Sequence, residues 1–215
     1  MKTKTFLWLV FFITMFLGCT RAPTKVACIG DSITAGAVLS NQSKTAYPVM
    51  LDSILGNNFT VLNFGRSATT LLKNGNFPYW ISKEFYNVFA FQPNIVLIKL
   101  GTNDTKLKNW NEENFEKDYQ ALIDTLRSMP SNPEIIVCLP VPVYRTAWGI
   151  NDSTLIAGVI PAIQRIARKN HLQIIDLNNP LRNQPGNFPD GIHPNETGAR
   201  NMAIIVADEL RKIDK

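Results

Sequence analysis

Five short apolar runs recur along the chain, each closed by a glycine, a proline or an acidic residue. They are residues 25–30 (KVACIG), 60–64 (TVLNF, before Gly65), 94–100 (NIVLIKL, before Gly101), 134–139 (EIIVCL, before Pro140) and 172–176 (LQIID). Runs of this length without polar alternation read as strands buried on both faces. Between them the apolar positions change to helical spacing. Residues 46–55 form a predicted helix stopped by Gly56, and 79–90 another, entered through Pro78. Residues 112–128 are the clearest helix, with Phe115, Tyr119, Leu122, Ile123 and Leu126 on one face. Residues 152–170 are helical with a kink at Pro161, and 196–212 carry Ala203, Val206, Ala207 and Leu210 on one face. No internal repeat interrupts the alternation after residue 24. Buried strands alternating with helices predict an α/β fold, a three-layer α/β/α sandwich around a five-stranded parallel sheet.

The N-terminal pattern is of another kind. Lys2 and Lys4 precede an apolar run over 6–17, broken by Thr14 and followed by Gly18-Cys19. A charged start, an apolar middle and a small residue before the cut are the layout of a secretory signal. Residues 6–18 would span about 20 Å as a helix, short of the roughly 30 Å hydrocarbon core. The run Phe16-Leu17-Gly18-Cys19 resembles a bacterial lipobox, which implies lipidation of Cys19. A plain secretory signal and an uncleaved anchor are the alternatives. The expected organisation is a signal segment over 1–19, a tether over 20–24 and one domain over 25–215. The expected location is that of an exported bacterial protein, lipid-anchored to the membrane or in the periplasm.

Composition narrows the partners. Hydrophobic residues make up 45% and charged residues 18% of the chain, a globular balance. The formal net charge is +5, and without Lys2 and Lys4 it falls to +3, too little to suggest nucleic acid. Three cysteines give neither a disulfide framework nor zinc-ligand spacing. Cys28 and Cys138 fall inside strand runs and read as buried free thiols, with a Cys28–Cys138 disulfide as the alternative.

Four polar motifs follow strand ends or precede the last helix: GDSIT (30–34), Gly65-Arg66-Ser67, GTND (101–104) and DGIHPN (190–195). In a parallel α/β sheet the loops after strands share one edge, where ligands bind. Ser32 is a candidate nucleophile, and a serine hydroxyl needs a base. Of the two histidines, His171 precedes the fifth strand at the wrong edge, whereas His193 lies in a polar loop three residues after Asp190. That spacing lets the carboxylate orient the imidazole. The backbone N–H groups of Ser32 and Gly65 and the side-chain amide of Asn103 are candidate oxyanion donors.

The four blocks resemble the SGNH (GDSL-type) hydrolase family. Ser32 matches its nucleophile block, Gly65 its glycine block, Asn103 its asparagine block, and Asp190 with His193 its Asp-x-x-His block. The resemblance covers about residues 25–212. It implies a flavodoxin-like sheet order, an open site, no metal and no cofactor. It also implies ester hydrolysis through an acyl-enzyme on Ser32. The substrate is less legible. Loop aromatics suit a sugar ring, and no apolar lid segment would house a fatty chain. The segments FPYW (77–80), KLGTND (99–104) and WGINDS (148–153) are similar to bacterial sialate O-acetylesterase-like proteins. The expectation is therefore a carbohydrate O-acetylesterase, with Asp31, Arg66, Trp110 and Trp148 as candidate substrate contacts. A lysophospholipase or other lipid acylhydrolase is the alternative. A catalytically inactive glycan-binding module is the non-enzymatic one.

Overall fold

A computed structural model describes residues 22–213. The expected signal segment and the lipidation site Cys19 lie outside the described residues. Five strands form one parallel sheet: β1 (Thr24–Gly30), β2 (Phe59–Gly65), β3 (Ile95–Lys99), β4 (Glu134–Leu139) and β5 (Gln173–Asp176), in the order β2-β1-β3-β4-β5. This is the flavodoxin-like order, whose switch point lies between β1 and β3. The central strands are buried almost throughout, as their continuous apolar runs require, while edge strand β2 alternates and exposes Leu62. Full burial of each Val, Leu or Ile contributes about 1.5–3 kcal/mol.

The helices are α1 (Ser32–Ala35), α2 (Gln42–Thr45), α3 (Tyr47–Leu55), α4 (Lys83–Phe91), α5 (Glu112–Arg127), α6 (Asp152–Thr154), α7 (Ile160–Asn170) and α8 (Glu196–Ile213). α3 packs on α8 and α5 on α7, giving the two outer layers of the sandwich. Gly30 is in register with both Gly65 and Lys99, so β1, β2 and β3 finish level and their following loops start side by side.

Two predicted helices are divided. Over 79–90, Tyr79–Ile81 form a separate 3-10 turn and α4 starts afresh after Ser82, whose hydroxyl accepts from Phe85 N at 3.2 Å. Tyr79 belongs to the core instead, its hydroxyl donating to Phe64 O at 2.7 Å. Over 152–170, the kink expected at Pro161 takes the form of a π-helical turn, Leu155–Val159, between α6 and α7. Proline offers no N–H to the carbonyl of Ala157 and its ring crowds it, and the wider turn relieves both.

Cys28 and Cys138 are buried and free. They lie on β1 and β4, with β3 between and two residues out of register, about 12 Å apart and beyond disulfide reach. Burial pushes both thiols well up, Cys138 to about 12, which leaves them unreactive.

Candidate active site

The loop after β1 makes the first part of the site. Asp31 has extended backbone and caps α1, its Oδ1 accepting from Ile33 N at 3.0 Å. The other end closes at Gly36, whose N–H donates to Ser32 O. Ser32 is therefore the first residue of a one-turn helix, where N–H groups lack intrahelical partners. Its own N–H meets no acceptor among the described residues. The hydroxyl lies 2.8 Å from His193 Nε2.

The second part is the loop before α8. His193 Nδ1 lies 2.7 Å from Asp190 Oδ2, while Asp190 Oδ1 accepts from the backbone N–H of Ile192 at 2.8 Å and of His193 at 2.7 Å. The carboxylate thus turns both the ring and the backbone that carries it. With Nδ1–H donated to Asp190, Nε2 presents its lone pair to the serine. Burial pushes the Asp190 carboxyl up, but the two amides and the imidazole outweigh it and hold the group below the ordinary value. Arg145 braces the loop by donating to Asp190 O at 2.9 Å.

The third part follows β3. Asn103 is 3% exposed and gives one amide hydrogen to Thr69 O at 3.1 Å, leaving the other free. The structure brings Ser32, Asp190, His193 and Asn103, separated by up to 161 residues, onto the carboxyl edge of the sheet.

The family model of GDSL-like lipases and acylhydrolases matches residues 28–200. This chain belongs to the GDSL-like lipase/acylhydrolase family. It is 39% identical over 206 residues to an acetylxylan esterase of Xylanibacter ruminicola, an alignment covering 87% of the chain and 43% of that relative. The chain therefore spans less than half the length of this relative. Among solved structures, a carbohydrate acetylesterase from Sinorhizobium meliloti superposes with a TM-score of 0.70 at 17% identity, covering 88% of this chain and 99% of that one. An acetyl xylan esterase, AlAXEase, gives 0.69 at 22% identity, covering 86% and 98%. At these identities the two structures establish the shared fold.

Within this GDSL-family site, Gly65 has a different place from the one expected. Its N–H donates to Asn63 Oδ1 at 2.9 Å, and a Cβ on it would stand 2.3 Å from Ala35 N. Gly65 is small so that α1 can sit directly on β2. Three residues later Ala68 holds φ at 67°, and its N–H meets no acceptor among the described residues. It adjoins Thr69, whose carbonyl receives Asn103. An alanine gives no sequence sign of a left-handed backbone, so this free donor was not legible.

The four expected substrate contacts separate. Asp31 is wholly buried and paired with Lys99, whose Nζ lies 2.8 and 3.1 Å from its two oxygens and 3.3 Å from Thr102 Oγ1. Asp31 thus caps α1 and ties the GDSIT loop to the GTND loop; it is not open to substrate. Lys99 did carry a signal, as a lone charge in an apolar strand run implies a buried partner. Asp104 joins a third loop, accepting from Leu71 N at 3.0 Å and Leu72 N at 2.9 Å. Burial overrides those two amides and raises its carboxyl to about 7. Arg66 points to Glu84, 3.9 Å away. Trp110 packs on Phe115 and over Gly158, where a Cβ would lie 2.5 Å from the indole.

Trp148 is the contrast. It is 65% exposed and its ring centroid is 5.8 Å from that of His193. It sits with Gly149 in a two-residue reversal between the bridged pair Ala147 and Ile150, with φ at 52° and 81°. Two positive φ values are the I′ pattern, which favours Asn-Gly and strains a bulky side chain.

Proposed function

We propose that this chain is a serine esterase that removes acetyl groups from carbohydrate through an acyl-enzyme on Ser32. The observation that carries the reading is the unbroken line Asp190–His193–Ser32, with contacts of 2.7 and 2.8 Å. His193 Nε2 takes the Ser32 proton as Oγ attacks the ester carbonyl. The oxyanion is met by Ser32 N–H, the free hydrogen of Asn103 and Ala68 N–H. His193 then protonates the departing sugar oxygen, and the acetyl group stays on Ser32. Water, deprotonated by His193, attacks that ester and releases acetate. Asp190 remains ionised and steadies the imidazolium formed in both steps.

The acetylxylan esterase relative and the carbohydrate acetylesterase neighbour support the substrate class. The exposed face of Trp148 supports it independently, as an aromatic platform for a sugar ring held beside the base. We also propose that the protein is exported and held to a membrane by lipid on Cys19.

The test is hydrolysis of nitrophenyl acetate, nitrophenyl decanoate and an acetylated xylo-oligosaccharide. Acetate is expected to be preferred over decanoate, acetate release from the oligosaccharide is expected, and Ser32→Ala should lower kcat by about 10³-fold or more. Wild-type rates in Ser32→Ala would overturn the mechanism, and a preference for decanoate would overturn the substrate class.

A further inference from the structure

A cleft of about 450 Å³ opens beside the catalytic histidine, and its lining includes Lys106, Leu107, Lys108, Trp148, Gly149 and Ser153. Trp148 is shared between this cleft and the His193 ring, so the indole links the cleft to the base. The lining carries two positive charges and no acidic residue. Lys106 is only 8% exposed, and its ammonium has no hydrogen-bond or ion-pair partner among the described residues. Its stem lies against Gly149, with Cγ 3.5 Å from where a Cβ there would stand. Burial and then the neighbouring Lys108 push its pKa down, and the carboxylates of Asp104 and Asp31 pull it up without cancelling them. Leu107, between the two lysines, is 86% exposed. A partly desolvated ammonium without a protein partner gains from an anion, because part of its burial cost is already met in the folded protein.

We propose that this cleft binds the carboxylate of an acidic sugar in the acetylated glycan, with the sugar face on Trp148 and the carboxylate on Lys106 and Lys108. The proposal rests on the esterase reading and names its substrate more closely. The carboxylate has two sources, a uronic-acid branch or an acetylated sialic acid, and two matched pairs separate them. One pair is an acetylated xylo-oligosaccharide with and without a glucuronic-acid branch. The other is O-acetylated sialic acid and its methyl ester.

In at least one pair the charged member is expected to have the higher kcat/KM, on the order of tenfold at low salt, and less at high salt. Lys106→Met and Lys108→Gln should each shrink that ratio and together bring it near one, while Lys106→Arg should keep it. Lys108 is exposed, so its variant tests the idea even if Lys106→Met folds poorly. A wild type that hydrolyses both members of both pairs equally overturns the cleft and leaves the esterase reading standing. So does a preference that survives Lys106→Met/Lys108→Gln. A wild type inert on every acetyl ester, nitrophenyl acetate included, overturns the esterase reading and the cleft with it.

Discussion

Asp190 performs its task with two oxygens facing different partners, one the imidazole and the other a pair of backbone amides. Its folded pKa is lowered, so its ionised form stabilises the fold above the ordinary carboxylate value of about 3.9, and that contribution is lost as pH falls through the folded value. Asp190→Asn should therefore be less stable than wild type at pH 7 and converge on it below about pH 4, as followed by urea unfolding. The same variant should lower kcat by roughly 10⁴-fold, because an amide permits the wrong imidazole tautomer. The meeting of Ser32, His193 and Asp190, and the place of Asn103 at the same sheet edge, were legible in sequence, since each proposed role needs one residue type in a polar loop. The loop after β2, proposed above to meet the oxyanion, was harder to read. Gly65 offers the same letter whether it admits a ligand or a helix, and only the 2.3 Å approach to Ala35 N reveals the second use.

At the scale of elements, three of the site's four loops, those after β1, β2 and β3, are held at fixed spacing by buried polar ties. Asp31–Lys99 joins the ends of β1 and β3, and Asp104 ties the β3 loop to the one after β2. Lys99→Met would strand a fully buried carboxylate and should cost about 3–5 kcal/mol. Asp31→Asn/Lys99→Met removes both charges and should recover much of that loss in chemical denaturation. A smaller loss in the single variant than in the double would contradict the tie. The central strands were legible because burial on both faces erases polar alternation. The division of the 79–90 helix was not, because Ser82 reads as an ordinary helix position until its hydroxyl is seen capping Phe85 N.

Across the whole molecule, the chain enters β1 at Thr24 and reaches Ser32 just past Gly30, the far end of a seven-residue strand. Entry and chemistry therefore lie on opposite edges of the sheet, about 20 Å apart. An anchor on Cys19 would hold the protein by the edge away from the site and leave the carboxyl edge facing outward. Cys19→Ser should move the protein from the membrane fraction to the soluble one and abolish incorporation of labelled palmitate, with nitrophenyl acetate turnover retained. Membrane retention of that variant would contradict the anchor.

The left-handed backbone at Trp148 sets stability against turnover. A selection for heat resistance alone would find this turn among its first targets, because Asn at 148 suits both the φ of 52° and exposure to water. Trp148→Asn should raise the melting temperature by a few degrees, the relief of about 1 kcal/mol of strain. It should lower kcat/KM on acetylated oligosaccharide more than on nitrophenyl acetate. On the proposed reading, the most heat-resistant descendants of this chain would then be the poorest glycan esterases, a trade fixed by one dihedral angle.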